Sequence, residues 1–353
     1  MAKKKRKVRY DRIIILIPGC ALIIGAIFMG ISCITDENKT QTSDQPGNSA
    51  KEPVKDITQV EGYQILKDGG LSDEQIEEMT TLSNYWPQRA QRYAAYQGAE
   101  TIELTVLNVN MDLDLEPYEN SVTVTDDTDM TLLVNKSHAL PEGYVPADLG
   151  VMEQYACVAG EDYSCQDVAY MELRSEALNA YYQWCQAAQE QGISIRAIAG
   201  YRSYDYQAGL WNYNAGLYGE EYADLYYARP GQSEHNSGLA VDITFNGHNF
   251  NEIELYDGYE WILSSAHDYG FILRYPEEKQ DITRYGYESW HFRYVGKDAA
   301  KIIYDNNWTL EEYDGSQKKE KTQNWQTDLI GSRLHMCHHM LCFRWKGSFF
   351  RNE

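Results

Sequence analysis

The sequence predicts an α+β fold, a mainly antiparallel sheet with flanking helices, preceded by an N-terminal transmembrane helix. Three observations carry this reading. Helical stretches and strands are mixed without a regular βαβ rhythm, which argues against a parallel sheet. The segments LAVDITF and WHFRYV alternate their side chains at the period of a strand. Residues 13–34 are 22 uncharged positions, enough to cross the hydrocarbon core of a bilayer.

Taken in chain order, residues 1–12 hold seven of the 31 Lys and Arg and one of the 53 acids. The positive-inside rule then leaves this segment in the cytoplasm and everything after the span outside. KKKRKV also fits a nuclear signal, but the apolar span that follows at once decides against it. A cleaved signal peptide ending near Ser32 and a lipid anchor on Cys33 are the rivals; span length and flanking charge favour an uncleaved anchor. Residues 35–58 are polar, carry two prolines and cannot bury a core, which is the composition of a tether.

Ser72 is a candidate N-cap for SDEQIEEMTTL, with acids in the first turn, and WPQRAQRYAAYQ is a second candidate helix. TIELTVLNVN, residues 101–110, reads as a strand by its β-branched content, and the acidic stretch 112–129 reads as a loop around a short strand. A helix over 173–191 follows from Leu178, Tyr181, Cys185 and Ala188 at three- and four-residue steps, stopped by Gly192. Next come the strand ISIRAIA and a helix from Tyr204 capped by Ser203, so Arg202 sits at a strand-to-helix junction. In LAVDITF, Leu239, Val241, Ile243 and Phe245 share one face and leave Asp242 on the other. A helix around 259–269 ends at Gly270, the strand FILRY follows, and in WHFRYV His291 stands opposite the face of Trp290, Phe292 and Tyr294.

The formal net charge is −22 although the basic residues cluster at the start, so the body is strongly acidic and nucleic acid is excluded as a partner. Of seven cysteines, Cys157 and Cys165 are spaced to close a short loop in an oxidising exterior, leaving Cys185 over; free buried thiols are the equal alternative.

An Asp inside an apolar strand demands an explanation, because a buried carboxylate costs several kcal/mol unless it is paired or metal-bound. Hydrolytic zinc sites use about three ligands from His, Asp or Glu with a fourth position open. His235, in the loop SEHNSG just before the strand of Asp242, and His291 on another strand complete such a set for Zn2+. Glu288 lies three residues before His291. If a turn at Ser289 starts the strand after it, Glu288 can take a proton from an attacking water and pass it to the leaving amine. His248 and His267 read as structural or exposed.

At these residues the chain resembles a known family. RPGQSEHNSGLAVDI and ESWHFRYVG, with AGYRSYDYQ upstream and YGFILRYP between them, are similar to the VanY-type D-alanyl-D-alanine carboxypeptidases and the related LdcB-type L,D-carboxypeptidases. The likeness runs from about residue 155 to 296, and more loosely back to 60. It implies His235, Asp242 and His291 as zinc ligands and Glu288 as general base. It also implies that Arg202 stabilises the oxyanion or the substrate carboxylate, with Gln207 and Ser233 near the substrate. Arg284, where Gly is common, and Ser289, where Pro is common, depart from the pattern and bear on pocket shape.

The organisation this implies is a cytoplasmic basic segment (1–12), a transmembrane helix (13–34), a linker (35–58), an N-terminal extension packed on the catalytic domain (59–150), a zinc carboxypeptidase domain (151–314) and a tail without an assigned role (315–353). The expected protein sits in the cell membrane by a single pass with its catalytic domain extracellular. Its expected reaction removes the C-terminal D-alanine from peptidoglycan stem peptides. An L,D-carboxypeptidase or endopeptidase acting on the same stems is the alternative within the enzyme class. A wall-binding module without catalysis is the alternative outside it, and Glu288 argues against that, since binding alone needs no general base.

Overall fold

The computed structural model describes residues 56–119, 121–152 and 171–317, all within one unit, Lys55–Glu353. The predicted span at 13–34, nearly all of the linker, Cys157, Cys165 and the tail from 318 lie outside the described residues. Among the described residues no helix is long and apolar enough to cross a membrane.

Four short helices come first: α1 (Tyr63–Asp68), α2 (Asp73–Thr81), α3 (Ala90–Ala95) and α4 (Ile102–Asn110). Helix α2 opens with a capping box, in which the Ser72 hydroxyl accepts from the Gln75 N–H at 3.2 Å and the Gln75 side chain accepts from the Ser72 N–H at 2.9 Å. WPQRAQRYAAYQ forms the short turn Pro87–Arg89 that runs into α3, where Pro at the first position costs no hydrogen bond. Segment 101–110 is a helix rather than the expected strand. Thr101 caps it by accepting from the Leu104 N–H at 3.2 Å, and Val106 and Val109 reach a shared core with Leu66, Ile76, Met79 and Tyr93. Its β-branched content misled because propensity is weak beside packing: burial of Thr105, Val106, Val109 and Asn110 follows a helical face, not alternation.

Two small pairs follow. β1 (Val122–Thr123) runs parallel to β2 (His138–Ala139), and β3 (Leu149–Val151) antiparallel to β4 (Glu172–Arg174). Stretch 112–129 thus holds one short strand, as expected. Helix α5 (Ser175–Glu190) starts two residues later than predicted, because Leu173 and Arg174 pair with Gly150 and Leu149 instead. Gly192 follows it at φ +76°.

The rest of the described chain alternates strands with helices: β5 (Ile195–Ala199), α6 (Tyr204–Tyr218), α7 (Glu220–Tyr226), β6 (Ala240–Phe245), α8 (Tyr259–Ser265), β7 (Phe271–Leu273), α9 (Gln280–Thr283), β8 (His291–Tyr294), α10 (Lys297–Asn306) and α11 (Leu310–Ser316). Its four strands form one antiparallel sheet in the order β5-β6-β8-β7. Ser203 caps α6 as predicted, accepting from the Tyr206 N–H at 3.2 Å. One sheet face packs Val241, Ile243, Phe245 and Phe292 with Ala177, Tyr181 and Trp184 of α5. Trp184 is fully buried, its ring 5.4 Å from Phe271 and 5.1 Å from Phe292, and its indole N–H donates to Ser265 Oγ at 3.0 Å. The opposite face carries Asp242 and His291. Cys185 is a free thiol on α5, pushed up to about 11 by burial.

Helix and strand make opposite predictions for residues 104 and 106, which a strand would place on one face. Leu104 is exposed and Val106 fully buried. We expect Leu104→Ala to change stability by no more than about 0.5 kcal/mol and Val106→Ala to cost about 1–3 kcal/mol. Urea unfolding measures both, and equal losses would return the segment to a strand.

Candidate active site

Strand register assembles the centre. Asp242 on β6 is the cross-strand partner of His291 on β8, while the flanking pair Val241 and Phe292 turns into the core. His235 arrives from the tight turn Glu234–Ser237 that precedes β6. That turn is held to the β5–α6 junction: the Arg202 N–H donates to the His235 carbonyl at 3.1 Å, and Asn236 Nδ2 donates to the Arg202 carbonyl at 2.7 Å. Gly238 closes the turn at φ +68°, and a Cβ there would lie 3.0 Å from Leu149 Cδ2 and 3.1 Å from Arg174 Cγ. Glycine is the residue that fits both demands.

His235, Asp242 and His291 are buried, and each offers a ligand atom within 4.8 Å of the others. His235 Nδ1 lies 2.7 Å from the Gly200 carbonyl, which only accepts, so Nδ1 carries the proton. Nε2 is then the lone-pair nitrogen, 3.2 Å from Asp242 Oδ2. His291 is oriented by a carboxylate behind it: Nε2 faces Glu234 Oε2 at 3.4 Å, and Nδ1 faces Asp242 Oδ1 at 2.9 Å. Two imidazoles whose outer nitrogens are held by backbone and carboxylate, with one carboxylate between them, form a donor set that fits a divalent metal.

Burial and partners pull the groups apart. His235 is pushed down to about 4 by burial and then by the charge of Arg202. Burial also acts to lower His291, but its hydrogen bonds to Asp242 and Glu234 prevail and raise it to about 9. Asp242 would rise on burial, yet the two histidines hold it well below the usual carboxylate range.

Glu288 sits outside β8, and the His291 N–H reaches back to its carbonyl at 3.3 Å across the turn at Ser289. Its Oε2 is therefore 3.7 Å from His291 Nδ1 rather than on the far side of the strand, as the sequence required. Burial raises the Glu288 carboxyl to about 7, against the opposing charge of His291. Arg202 donates from Nη2 to Asp242 Oδ2 at 2.9 Å and lines the same cleft of about 690 Å³ as Gln207, Ser233, His235, Asp242 and His291. Gln207 is buried; its Nε2 donates to the Ala228 carbonyl at 2.8 Å, which turns Oε1 away with no protein partner. All seven predicted residues line this one cleft. His248 and His267 do not: they stack on Tyr256 and Tyr304, each at 3.8 Å.

Sequence reasoning missed the charges beneath the donors. Glu234 Oε1 accepts from Arg274 Nε at 2.7 Å and Arg293 Nη1 at 2.8 Å, and Arg274 meets Glu311 of α11 through two nitrogens at 2.6 and 2.8 Å. Burial would raise Glu234, but Arg274 and Arg293 outweigh it and hold the carboxyl far below its ordinary range. A signal was there to read: Arg274 in FILRY and Arg293 in HFRYV are charges in apolar, strand-like segments, the anomaly that singled out Asp242.

An antiparallel sheet presenting two histidines and an aspartate beside a buried glutamate defines the class, a metallopeptidase-type hydrolytic centre. Comparison with known proteins narrows it. Residues 170–297 match the family model VanY, D-alanyl-D-alanine carboxypeptidase. The putative carboxypeptidase YodJ of Bacillus subtilis (strain 168) is 40% identical over 211 residues, 58% of this chain and 74% of its own length. VanXYC of Enterococcus gallinarum, a bifunctional D-Ala-D-Ala dipeptidase and D-Ala-D-Ala carboxypeptidase, is 35% identical over 188 residues, 51% of this chain and 91% of its own. The solved LdcB LD-carboxypeptidase superposes with a TM-score of 0.53 at 39% identity, covering 58% of this chain and 95% of that one. The chain belongs to the VanY D-alanyl-D-alanine carboxypeptidase family, and it is an enzyme.

Two outcomes follow from the geometry. The full chain is expected to hold about one divalent metal after dialysis and His291→Ala to hold little; unchanged metal in the variant would remove His291 from the donor set. Glu311→Gln leaves Arg274 and Arg293 with a single buried counter-charge, which should lower stability by about 3–5 kcal/mol in urea unfolding.

Proposed function

We propose that this chain is a zinc-dependent D,D-carboxypeptidase that removes the C-terminal D-alanine from peptidoglycan stem peptides. The observation that carries the reading is the juxtaposition of three metal donors within 4.8 Å of one another and Glu288 Oε2 3.7 Å from His291, in one cleft. His235, Asp242 and His291 would hold the zinc, which would supply Lewis acidity to the attacking water and the scissile carbonyl. The side chains do the rest. Glu288 takes the proton of the attacking water and returns it to the amine of the departing D-alanine, so the peptide C–N bond breaks and a carboxylate and an amine are released. The Arg202 fork receives the substrate's terminal carboxylate or the oxyanion. Gln207 Oε1 is an acceptor waiting for a substrate N–H, and Ser233 lines the same cleft.

The activity named for VanXYC supports D-Ala-D-Ala as the bond cleaved. A second reading, L,D-carboxypeptidase on tetrapeptide stems, is favoured by the superposition on LdcB. Mass analysis of products separates them: under the first, pentapeptide stems lose one alanine and tetrapeptides stay intact; the reverse pattern selects the second. Glu288→Gln is expected to keep its zinc while cleavage falls about 10²–10⁴-fold. A Glu288→Gln protein that cleaves at the parent rate with its zinc in place defeats the mechanism.

The reaction belongs outside the cell, with the enzyme tethered by a single pass through 13–34. The basic cluster at 1–12 and the polar stretch 35–58 support that placement. Protease added to intact cells should release a soluble domain that carries the activity; a protected domain would invert the topology.

A further inference from the structure

Helices α6 and α7 carry an exposed aromatic surface that starts in the cleft wall and runs beyond it. Seven of the sixteen large hydrophobic side chains exposed among the described residues fall between 204 and 226. Such a concentration marks a surface meant to be covered. At its centre Tyr218, Tyr222 and Tyr226 follow one another at four-residue steps, their rings 5.0 and 4.9 Å apart and 61%, 44% and 41% exposed.

The ladder is anchored at the catalytic end. Gly286 lies so close to the Tyr226 ring that a Cβ there would come within 2.6 Å of it, and the Gly286 N–H donates to the Leu225 carbonyl at 3.0 Å. Gly286 is two residues before Glu288. Tyr222 and Tyr226 also line the cleft that holds Glu288, Asp242 and both histidines, whereas Tyr218 stands outside it. The rings therefore continue the cleft wall outward as a pre-ordered strip.

Charge identifies the occupant. Residues 204–226 contain Asp205, Glu220, Glu221 and Asp224 and no Lys or Arg, so anionic lipid headgroups and phosphate polymers are repelled. Phenol rings in a row suit an uncharged ligand with flat apolar faces and a rim of hydroxyls, which describes a pyranose. The substrate read for the cleft is joined to such rings. Its C-terminus enters at Glu288, and the other end of the stem leads outward to the glycan strand.

We propose that Tyr218, Tyr222 and Tyr226 form a glycan-binding platform that stacks on the N-acetylhexosamine rings of the strand from which the stem peptide hangs. The identity of the occupant rests on the carboxypeptidase reading, whereas its binding is measured without catalysis. The full chain should co-sediment with peptide-free glycan strands, and Tyr218→Ser/Tyr222→Ser should weaken this at least about tenfold, with Tyr218→Phe, which keeps the ring, retaining it. Equal sedimentation of parent and double variant overturns the proposal. So does binding to uncharged phosphatidylcholine vesicles that the double variant loses while glycan binding stays, which would assign the ladder to a lipid surface. In kinetics, Tyr218→Ser should raise KM about fivefold for a disaccharide-linked pentapeptide, with kcat unchanged and free pentapeptide cleaved as before. An equal rise on both substrates also overturns the platform. Failure of the parent to cleave either substrate defeats the carboxypeptidase reading instead, and glycan sedimentation still decides the platform.

Discussion

Charge buried away from the surface is the condition around which the catalytic half is built. Glu234, Arg274, Arg293 and Glu311 are at most 1% exposed, and none could stay ionised there alone at tolerable cost. They pair in a chain, Arg293 to Glu234 to Arg274 to Glu311, and backbone satisfies the free end: Arg293 also donates to the carbonyls of Leu132 and Met130 at 2.8 and 3.0 Å. The consequence for chemistry is positional. Glu234 can hold His291 Nε2 only because Arg274 and Arg293 hold Glu234, and Arg274 is held by Glu311 of α11. Helix α11 is tied in turn at its C-terminal end, where the Gly315 carbonyl accepts from Asn84 and Asn110 at 3.1 and 2.9 Å. His291 is thus located by a chain of contacts that ends in the N-terminal helices.

The sheet imposes the second constraint. Its side-chain period is two, so a slip of one residue between β6 and β8 would turn Asp242 and His291 into the aromatic core and Val241 and Phe292 into the cleft. Packing of Trp184 between Phe271 and Phe292 makes that slip expensive. Core and centre are two faces of one register, and the hydrophobic face guards the precision of the polar one.

The two departures from the family pattern have physical substitutes. Arg284 occupies a left-handed conformation at φ +61°, where glycine is unstrained, but its guanidinium donates to the Leu113 carbonyl at 3.2 Å and its own carbonyl accepts from Lys136 Nζ. Ser289 lacks the rigidity of proline, yet its hydroxyl donates to Glu254 Oε2 at 2.6 Å and its carbonyl accepts from Tyr259 at 2.9 Å. The turn between Glu288 and His291 is fixed by hydrogen bonds in place of a ring.

Sequence alone determined what local rules can reach. Alternation in LAVDITF and WHFRYV put Asp242 and His291 off the core face, three-residue spacing required the turn that frees Glu288, and capping chemistry located α2 and α6. A charge in an apolar strand was enough to raise the question of a partner. Tertiary structure decided which partner answered, because Glu234, Arg274 and Glu311 are 37 residues or more apart in the chain and their pairing is stated only by packing. It also decided 101–110, where a β-branched segment became a helix once Val106 and Val109 could share a core with Ile76 and Met79. Propensity is worth tenths of a kcal/mol per residue and burial of a side chain about 1.5–3 kcal/mol, so where the two disagree the fold follows burial, which sequence shows only in part.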